Sequence, residues 1–211
     1  MSQDRFIAAE VGKLVAHQGL SPEAAHIRVK NFTTDGHIVS RQRSTTDKRK
    51  TILYSAGDAL TAAALGALTD LGGLGKNAIQ AAASRLQAWR EGEVWTPDSK
   101  WLAAAQKAAD EGKEPPERPK GVAKEPESPA QWMMDNFAAD PSRPPGFTLH
   151  LTWQRNPAGN VIVTSDLTHG DFGPLGGGRF LMDANVPVAG LVLPIDPMLL
   201  DLHVRIAKLG A

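Results

Sequence analysis

The segment LSPEAAHIRVKNFTTDGHIVSRQRSTTDKRK, residues 20–50, decides the fold class. It changes at Gly36 from a stretch with helical periodicity to a stretch rich in Arg and Lys. Ser21 is a suitable N-cap, Pro22 suits the first helical position, and Gly36 suits the residue that follows a helix. These signals predict a helix over residues 21–34.

The predicted helix has two different faces. On a period of 3.6 residues, Ala25, Val29 and Phe32 share an apolar face. The opposite face carries Glu23, Ile27, Lys30 and Thr34, with His26 beside them. A helix of this kind packs its apolar face on a core and presents the other face to solvent.

Residues 38–54 predict a β-hairpin that carries most of the positive charge of the region. The runs HIVSRQRS and KRKTILY are strand-like, and the polar STTD between them favours a turn. We expect the apolar residues of both runs to pack inward, namely Ile38, Val39, Ile52 and Leu53. The basic side chains then lie on the exposed edge and tip of the hairpin.

A helix, a tight turn, a second helix and a basic hairpin follow one another in this part of the chain. The stretch FIAAEVGKLVAHQ predicts the first helix, which we expect to end at Gly19. This order is that of a winged helix-turn-helix, in which the second helix enters the major groove and the hairpin, or wing, lies along the phosphates. Double-stranded DNA is the expected partner. The predicted contact residues are Ser21, Glu23, His26, Ile27 and Lys30 in the helix, and Arg41, Arg43, Lys48, Arg49 and Lys50 in the wing.

The charge distribution agrees with this prediction. The chain has 23 Lys+Arg and 23 Asp+Glu among its 211 residues. Residues 26–50 nevertheless contain seven basic and two acidic side chains, whereas residues 91–145 contain seven basic and eleven acidic ones. The overall neutrality is therefore an average over unlike regions, and the positive surface is the one suited to a polyanion.

At these residues the sequence resembles the MarR family of bacterial winged-helix transcription regulators. The resemblance covers about residues 10–60 and lies in the helix start, the helix stop, the wing and the opening of the next helix. The matching positions are Ser21, Ala25, Val29, Phe32, Gly36, Arg41 or Arg43, Asp47-Lys48-Arg49 and Gly57. Arg28 departs from the pattern, because the family usually has an apolar residue there.

The resemblance implies a sequence-specific transcription regulator. It implies that Arg49 enters the minor groove and that Asp47 orients it. We expect a repressor that acts as a homodimer. The Ala-rich stretches DALTAAALGALTDLGG and KNAIQAAASRLQAWREG predict two further helices, which either complete the winged-helix core or pack between two subunits.

The composition predicts three regions in an α+β protein. Residues 1–96 form the winged helix with its trailing helices, residues 97–146 form a helical and then Pro-rich linker, and residues 147–211 form a small α+β domain. Eight of the chain's fifteen prolines fall in residues 112–146, where WMMDNF is expected to form a short docking helix.

The last region has the pattern of a small sheet covered by a helix. The runs FTLHLTWQ and GNVIVTSDLT predict a hairpin, and VAGLVLPI predicts a further strand. DPMLLDLHVRIAKLG predicts a final helix with Asp196 as its N-cap. Because a 65-residue region has a limited core of its own, we expect it to contact a partner protein, another subunit or the winged helix.

An enzyme is the less favoured interpretation. The candidate acid–base or ligand residues of the last region are His150, Asp166, His169, Asp171 and His203. They form no spaced metal motif, and the glycine cluster in THGDFGPLGGGRF lacks the pattern of a nucleotide loop. With no cysteine, the chain has no thiolate nucleophile and no disulfide. We expect no cofactor.

Two other interpretations stay open. A winged-helix domain of this kind also suits a protein–protein adaptor, with the Pro-rich segment as a tether, or the DNA-binding protein of a mobile element. The apolar runs are too short to cross a bilayer, and the N-terminus lacks the pattern of a signal peptide. The expected location is the cytoplasm, in association with the nucleoid.

Overall fold

The computed structural model describes residues 5–40, 42–45, 48, 50–88, 104, 107–108, 128–141, 146–169, 173–174 and 186–209. Within these residues, six helices have described bounds, and they are combined with antiparallel β-structure. The predicted α+β class is therefore confirmed.

The six helices are distributed over both ends of the chain. They are α1 (Ala8–Val15), α2 (Pro22–Thr34), α3 (Ala56–Asp70), α4 (Lys76–Leu86), α5 (Pro129–Ala139) and α6 (Asp196–Leu209). In the part of the chain that the structure describes, no helix is both long and apolar enough to cross a membrane.

The β-structure forms two sheets. A two-stranded ribbon pairs β1 (Gln42–Arg43) with β2 (Ile52–Leu53). The larger sheet has the strand order β5-β4-β3-β6, and its members are β3 (Thr148–Arg155), β4 (Val161–His169), the two-residue β5 (Gly173–Pro174) and β6 (Val186–Pro194). All of its pairings are antiparallel, and a bulge between Trp153 and Gln154 interrupts the pairing of β3 with β6.

The first and last parts of the chain share one hydrophobic core. Residues of Met1–Ala88 and of Ser128–Ala211 belong to one compact unit. The buried sheet residues Leu149 and Leu151 belong to the same core as the buried residues of α3 and α4. The sequence pattern predicts residues 147–211 as a separate small domain. The described strands of this region instead obtain from the helices the cover that their own length does not supply.

The WMMDNF stretch forms α5, which packs on the start of α3. Its side chains Met133, Met134 and Phe137 are buried. The Oε1 atom of Gln131 accepts a hydrogen bond of 2.8 Å from the backbone N–H of Gly57. The predicted docking helix is therefore present, although most of the predicted linker 97–146 lies outside the described residues.

Three local predictions were wrong. Helix α1 ends at Val15 rather than Gly19, because the chain turns there and His17 and Leu20 exchange two backbone hydrogen bonds of 3.2 and 2.9 Å. Val39 does not pack inward and is 51% exposed. The carboxylate of Asp196 accepts hydrogen bonds from the N–H groups of residues 146 and 147, at 2.7 and 2.9 Å, instead of capping α6.

Candidate nucleic-acid interface

Helix α2 begins where its capping residues predict. The Oγ atom of Ser21 accepts a hydrogen bond of 3.2 Å from the backbone N–H of Ala24, and Pro22 occupies the first helical position. Gly36, with φ of +73°, follows the end of the helix in the left-handed conformation that glycine adopts easily. A defined start and stop fix which side chains of α2 face solvent.

The two faces of α2 separate as the periodicity predicts. The apolar residues Ala25, Val29 and Phe32 are buried. Four of the predicted contact residues are exposed on the helix, namely Ser21, Glu23, Ile27 and Lys30. His26 is half-buried at the margin of this surface. The structure therefore leaves four of the five helical candidates exposed to solvent, and His26 is the least accessible of them.

Helices α1 and α2 approach each other at Gly12. A Cβ atom at residue 12 would lie 2.8 Å from both the backbone N and the Cα of His26, which is closer than real Cβ contacts allow. Only glycine permits this approach, and it explains why His26 is half-buried. A glycine inside an apolar helical pattern was the available signal for this contact.

Glu23 places a negative charge at the start of α2. A hydrogen bond from its own backbone N–H, followed by one from the Ser21 side chain, lowers the pKa of the Glu23 carboxyl. The carboxylate stabilises the positive end of the helix dipole. It is also an acceptor, and an acceptor in the major groove pairs with the amino group of cytosine.

The predicted wing has the antiparallel pairing of a hairpin in its described residues. Gln42 lies opposite Leu53, and the backbone N–H of Ser44 donates to the carbonyl of Thr51 at 2.8 Å. The predicted contact residues that are described here are exposed, namely Arg43, Lys48 and Lys50. The other residues assigned to the tip, Arg41, Asp47 and Arg49, lie outside the described residues.

The base of the wing is attached to the N-terminal segment and to α2. Phe6 and Tyr54 exchange two backbone hydrogen bonds of 2.9 and 2.7 Å, which adds a bridge beside β2. The Tyr54 hydroxyl lies 3.0 Å from the Oγ1 atom of Thr33, near the end of α2. The wing and the helix thus share their supporting contacts.

A buried polar relay connects the wing to α3 and α4. The backbone N–H of Val39 donates to Gln87 Oε1 at 2.7 Å, and Gln87 Nε2 donates to Asp58 Oδ1 at 2.9 Å. The other carboxylate oxygen of Asp58 accepts the backbone N–H of Ser55 at 2.9 Å. Both oxygens of Asp58 and both ends of the Gln87 amide have a hydrogen-bond partner. The relay therefore fixes the position of the backbone at Val39, where the wing begins.

Burial makes the carboxyl of Asp58 unusual. Asp58 is 7% exposed, and desolvation raises its pKa above the ordinary value of 3.8, while the hydrogen bonds from Ser55 oppose that shift. Desolvation and hydrogen bonding thus act in opposite directions on this group. The capping role of Asp58 was detectable from the Ser55–Asp58 spacing, but the Gln87 contact, 29 residues away, had no local signal.

Arg28 has a structural partner that explains its departure from the apolar pattern. Its Nη1 atom lies 2.8 Å from Asp70 Oδ1 at the end of α3, and the other oxygen of Asp70 lies 3.2 Å from His17 Nε2. The ion pair between Arg28 and Asp70 connects α2 to the end of α3. Because both partners are partly exposed, we assign it a modest contribution of about 0–1 kcal/mol.

The last helix supports the first one. The Nη1 atom of Arg205 on α6 donates to the carbonyl of Leu14 at 3.1 Å and also to the carbonyl of Ala16. These carbonyls lie at the C-terminal end of α1, where helix carbonyls lack partners within the helix and where a cation is favourable. Arg205 therefore supports the C-terminal end of α1, which the local sequence did not indicate.

The residues considered for an enzyme have other contacts in the described structure. The Nε2 atom of His150 lies 2.9 Å from the hydroxyls of both Thr148 and Thr168. Asp166 pairs with Arg85 at 2.6 Å, and the ring of His203 packs edge-on against another aromatic ring at 5.7 Å. Asp171 and the side chain of His169 lie outside the described residues. Among the described residues, no group of three or more His, Cys, Asp or Glu is placed to hold a metal ion.

The comparisons with known proteins give no family assignment. No protein-family model matches the sequence, and a search of curated proteins finds no match.

Proposed function

We propose that this chain is a sequence-specific regulator of transcription that binds double-stranded DNA through a MarR-like winged helix. The observation that carries the proposal is the joint support of an exposed helix face and a basic hairpin. Tyr54 directly follows β2, its hydroxyl contacts Thr33 near the end of α2, and Tyr54 and Phe32 of α2 belong to the same buried core. In this proposal the protein is a repressor in the cytoplasm, associated with the nucleoid.

The exposed face of α2 and the wing cations have the chemistry that binding to a DNA duplex requires. Lys30 and Glu23 can respectively donate to and accept from base edges, and Ile27, which is 60% exposed, suits the methyl group of thymine. The wing cations suit phosphate oxygens, which supply affinity without base identity. Helix residues would therefore select the sequence, and wing residues would supply most of the salt-sensitive affinity.

Removing the wing charges should weaken binding to all duplexes alike. In the variant Lys48→Ala/Arg49→Ala/Lys50→Ala, we expect the slope of log K against log salt to fall by about 0.9 for each lost phosphate contact. Binding isotherms of the full chain on one duplex at several salt concentrations measure this slope. The control Arg155→Ala/Lys208→Ala removes two exposed cations outside the wing, and its slope should stay at the wild-type value. An unchanged slope in the wing variant would exclude the wing assignment.

Removing a helix side chain should instead change base preference. Selection of bound sequences from a random duplex pool should give a defined site for the wild type, and Lys30→Ala should relax one or two positions of it. A lost base contact is worth about 1–3 kcal/mol at its position. Lys13→Ala on α1 is the matched control, because it removes an exposed lysine without altering α2. If Lys30→Ala selects the wild-type site unchanged, α2 is not the reading helix.

A protein-binding adaptor is the second candidate, and the exposure of Ile27 favours it. An apolar side chain that is 60% exposed in the middle of a helix face also suits a protein surface. Sizing of the full chain with and without random duplex DNA separates the two functions, because an adaptor would not shift on adding DNA.

A further inference from the structure

The two edges of the larger sheet differ in the described structure. At the β4 edge, β5 pairs with Thr168 and His169, and the carboxylate of Asp166 accepts the backbone N–H of Leu167 at 2.9 Å. The hydroxyl of Ser165 bonds to a carbonyl of α4 at 2.7 Å. This edge is therefore covered by α4 and β5. The opposite edge is β6, and β3 is its only strand partner among the described residues.

The register shows which backbone groups of β6 face away from β3. The N–H of Ile195 donates to the carbonyl of Phe147 at 2.9 Å, so this pair is of the hydrogen-bonded type. Hydrogen-bonded pairs alternate along an antiparallel ladder, and Leu191 opposite Leu151 has the same parity. The N–H and C=O groups of Gly190 and Val192 have the opposite parity and point away from the sheet.

Prolines bound this open edge on both sides. Pro194 shares the parity of Val192, and Pro187 lies beyond the bulge at the other end of β6. Proline has no N–H, so neither residue can continue a ladder of donors outward, and prolines are a common means of limiting the pairing of an edge strand. The edge therefore offers a short window centred on Leu191, which suits one closed pairing rather than open-ended growth.

We propose that β6 pairs antiparallel with β6 of a second copy of this chain, about a twofold axis at Leu191. Gly190 of one copy then lies opposite Val192 of the other, and each pair exchanges two N–H···O=C bonds, which gives four bonds across the axis. The pairing is isologous, because the same residues donate and accept on both sides. A second copy fits this window because Gly190, which has no side chain, then lies opposite the exposed Val192 in both halves of the pair.

The side chains beside this edge are suited to burial. Val188 and Val192 are 55% and 56% exposed, although they are large and apolar. In the paired arrangement, Val192 of each copy lies diagonally across from Val192 of the other, on the outer face of the sheet. Gly190 leaves room for this contact, and a Cβ there would meet only Leu151 O, at 3.8 Å. The pairing would thus remove apolar surface from water as well as satisfy the open backbone groups.

This inference goes beyond the proposed function, and it can be tested without DNA. If the protein both binds DNA and pairs through β6, the twofold dimer presents two copies of α2. The preferred DNA site is then expected to have two symmetric halves. The mass of the protein in solution tests the dimer, whereas the DNA experiments test the winged helix, so failure of one is distinguishable from failure of the other.

The absence of cysteine permits a direct test of the axis. In Leu191→Cys, the two introduced thiols lie opposite each other in a non-hydrogen-bonded pair, where the Cα atoms are about 4.5 Å apart and a disulfide can form. We expect mild oxidation of the full chain to give a covalent dimer that reducing agent reverses. Val161→Cys is the matched control, because Val161 is an exposed residue of β4 away from the axis. Equal cross-linking of both variants would overturn the proposed axis.

A second variant removes the pairing without a cross-link. Val192→Pro deletes one outward donor from each copy, and the N–H that it removes makes no bond to β3. Light scattering should give twice the chain mass for the wild type and the chain mass for Val192→Pro, while both melt cooperatively. Ile162→Lys adds a charge to the outer face of β4 away from this edge, and it should remain a dimer. A monomeric wild type, or a dimer that survives Val192→Pro, would overturn the proposal.

Discussion

Gly57→Ala is expected to destabilise the protein by about 3 kcal/mol, near the upper end of the range for inserting a side chain into a packed contact. A Cβ atom at residue 57 would lie 2.4 Å from the backbone N of Gln131 and 2.6 Å from its Cα. The obstructing atoms are backbone, so no side-chain rotation can relieve the clash. Helix α5 would have to move away from α3, and the 2.8 Å hydrogen bond between Gly57 N–H and Gln131 would be lost.

The same helix supplies the control for this prediction. Gly66 lies in α3 as well, but a Cβ there would meet only Arg28 Nη1, at 3.7 Å. Gly66→Ala should therefore be neutral or stabilising by up to about 1 kcal/mol, because alanine is the better helix former. Urea unfolding of both variants measures the difference. If Gly57→Ala and Gly66→Ala unfold at the same urea concentration, α5 does not pack on Gly57.

The buried relay at the wing base gives the second large effect. In Asp58→Asn, one oxygen can still accept the Ser55 N–H, but the new amide group faces the amide of Gln87, and two donors then oppose each other. In Gln87→Glu, two carboxylates face each other instead. We expect each single variant to lose about 2–3 kcal/mol of unfolding free energy, the cost of an unsatisfied buried polar or charged group.

Exchanging both side chains should restore the relay. In Asp58→Asn/Gln87→Glu, the carboxylate introduced at residue 87 accepts the Val39 N–H and the N–H of the amide introduced at residue 58. The oxygen of that amide accepts the Ser55 N–H, so the charge is moved along the relay but not changed in amount. A double-mutant cycle by urea unfolding should show that the double variant is more stable than either single one. Gln80→Glu, on the exposed side of α4, controls for added charge on that helix. Additive losses would show that the relay is not a unit.

The pH dependence of this effect has a defined sign. The pKa of Asp58 is raised by burial, so the folded protein binds a proton at a higher pH than the unfolded chain does. The contribution of Asp58 to the free energy of unfolding is fully present below pH 3.8, the ordinary pKa of the carboxyl, and is lost as the pH rises through the raised pKa. The wild type should therefore gain stability relative to Asp58→Asn as the pH falls from neutral towards that value. Urea midpoints of the two proteins across this interval measure the sign.

The parts of the fold that follow from local signals were predictable, and the contacts between distant segments were not. Ser21, Pro22 and Gly36 gave the bounds of α2, because caps act within one turn of a helix. The exposure of Val39 was not predictable from alternation, because its backbone is held by Gln87, 48 residues later in the chain. A two-residue ladder such as β1–β2 is too short for alternation to decide which side is buried.

In the candidate interface, too, the features set by local sequence were predictable and those set by distant contacts were not. The exposed face of α2 followed from the helical period, and Ile27 and Lys30 lie where that period places them. The half-burial of His26 depends on its packing against Gly12, which is a contact between two helices. Similarly, the shared core of the two chain ends could not be derived from the composition, since an apolar strand face does not specify which helix covers it.

The bond from Arg205 to the end of α1 has a consequence for how the protein is made. A ribosome adds Arg205 189 residues after Ala16, which at about 5–20 residues per second is a delay of about 10–40 s. Throughout that interval the carbonyls of Leu14 and Ala16 lack this donor. A nascent chain therefore lacks this support of α1, and the bonds can form only when α6 has been translated.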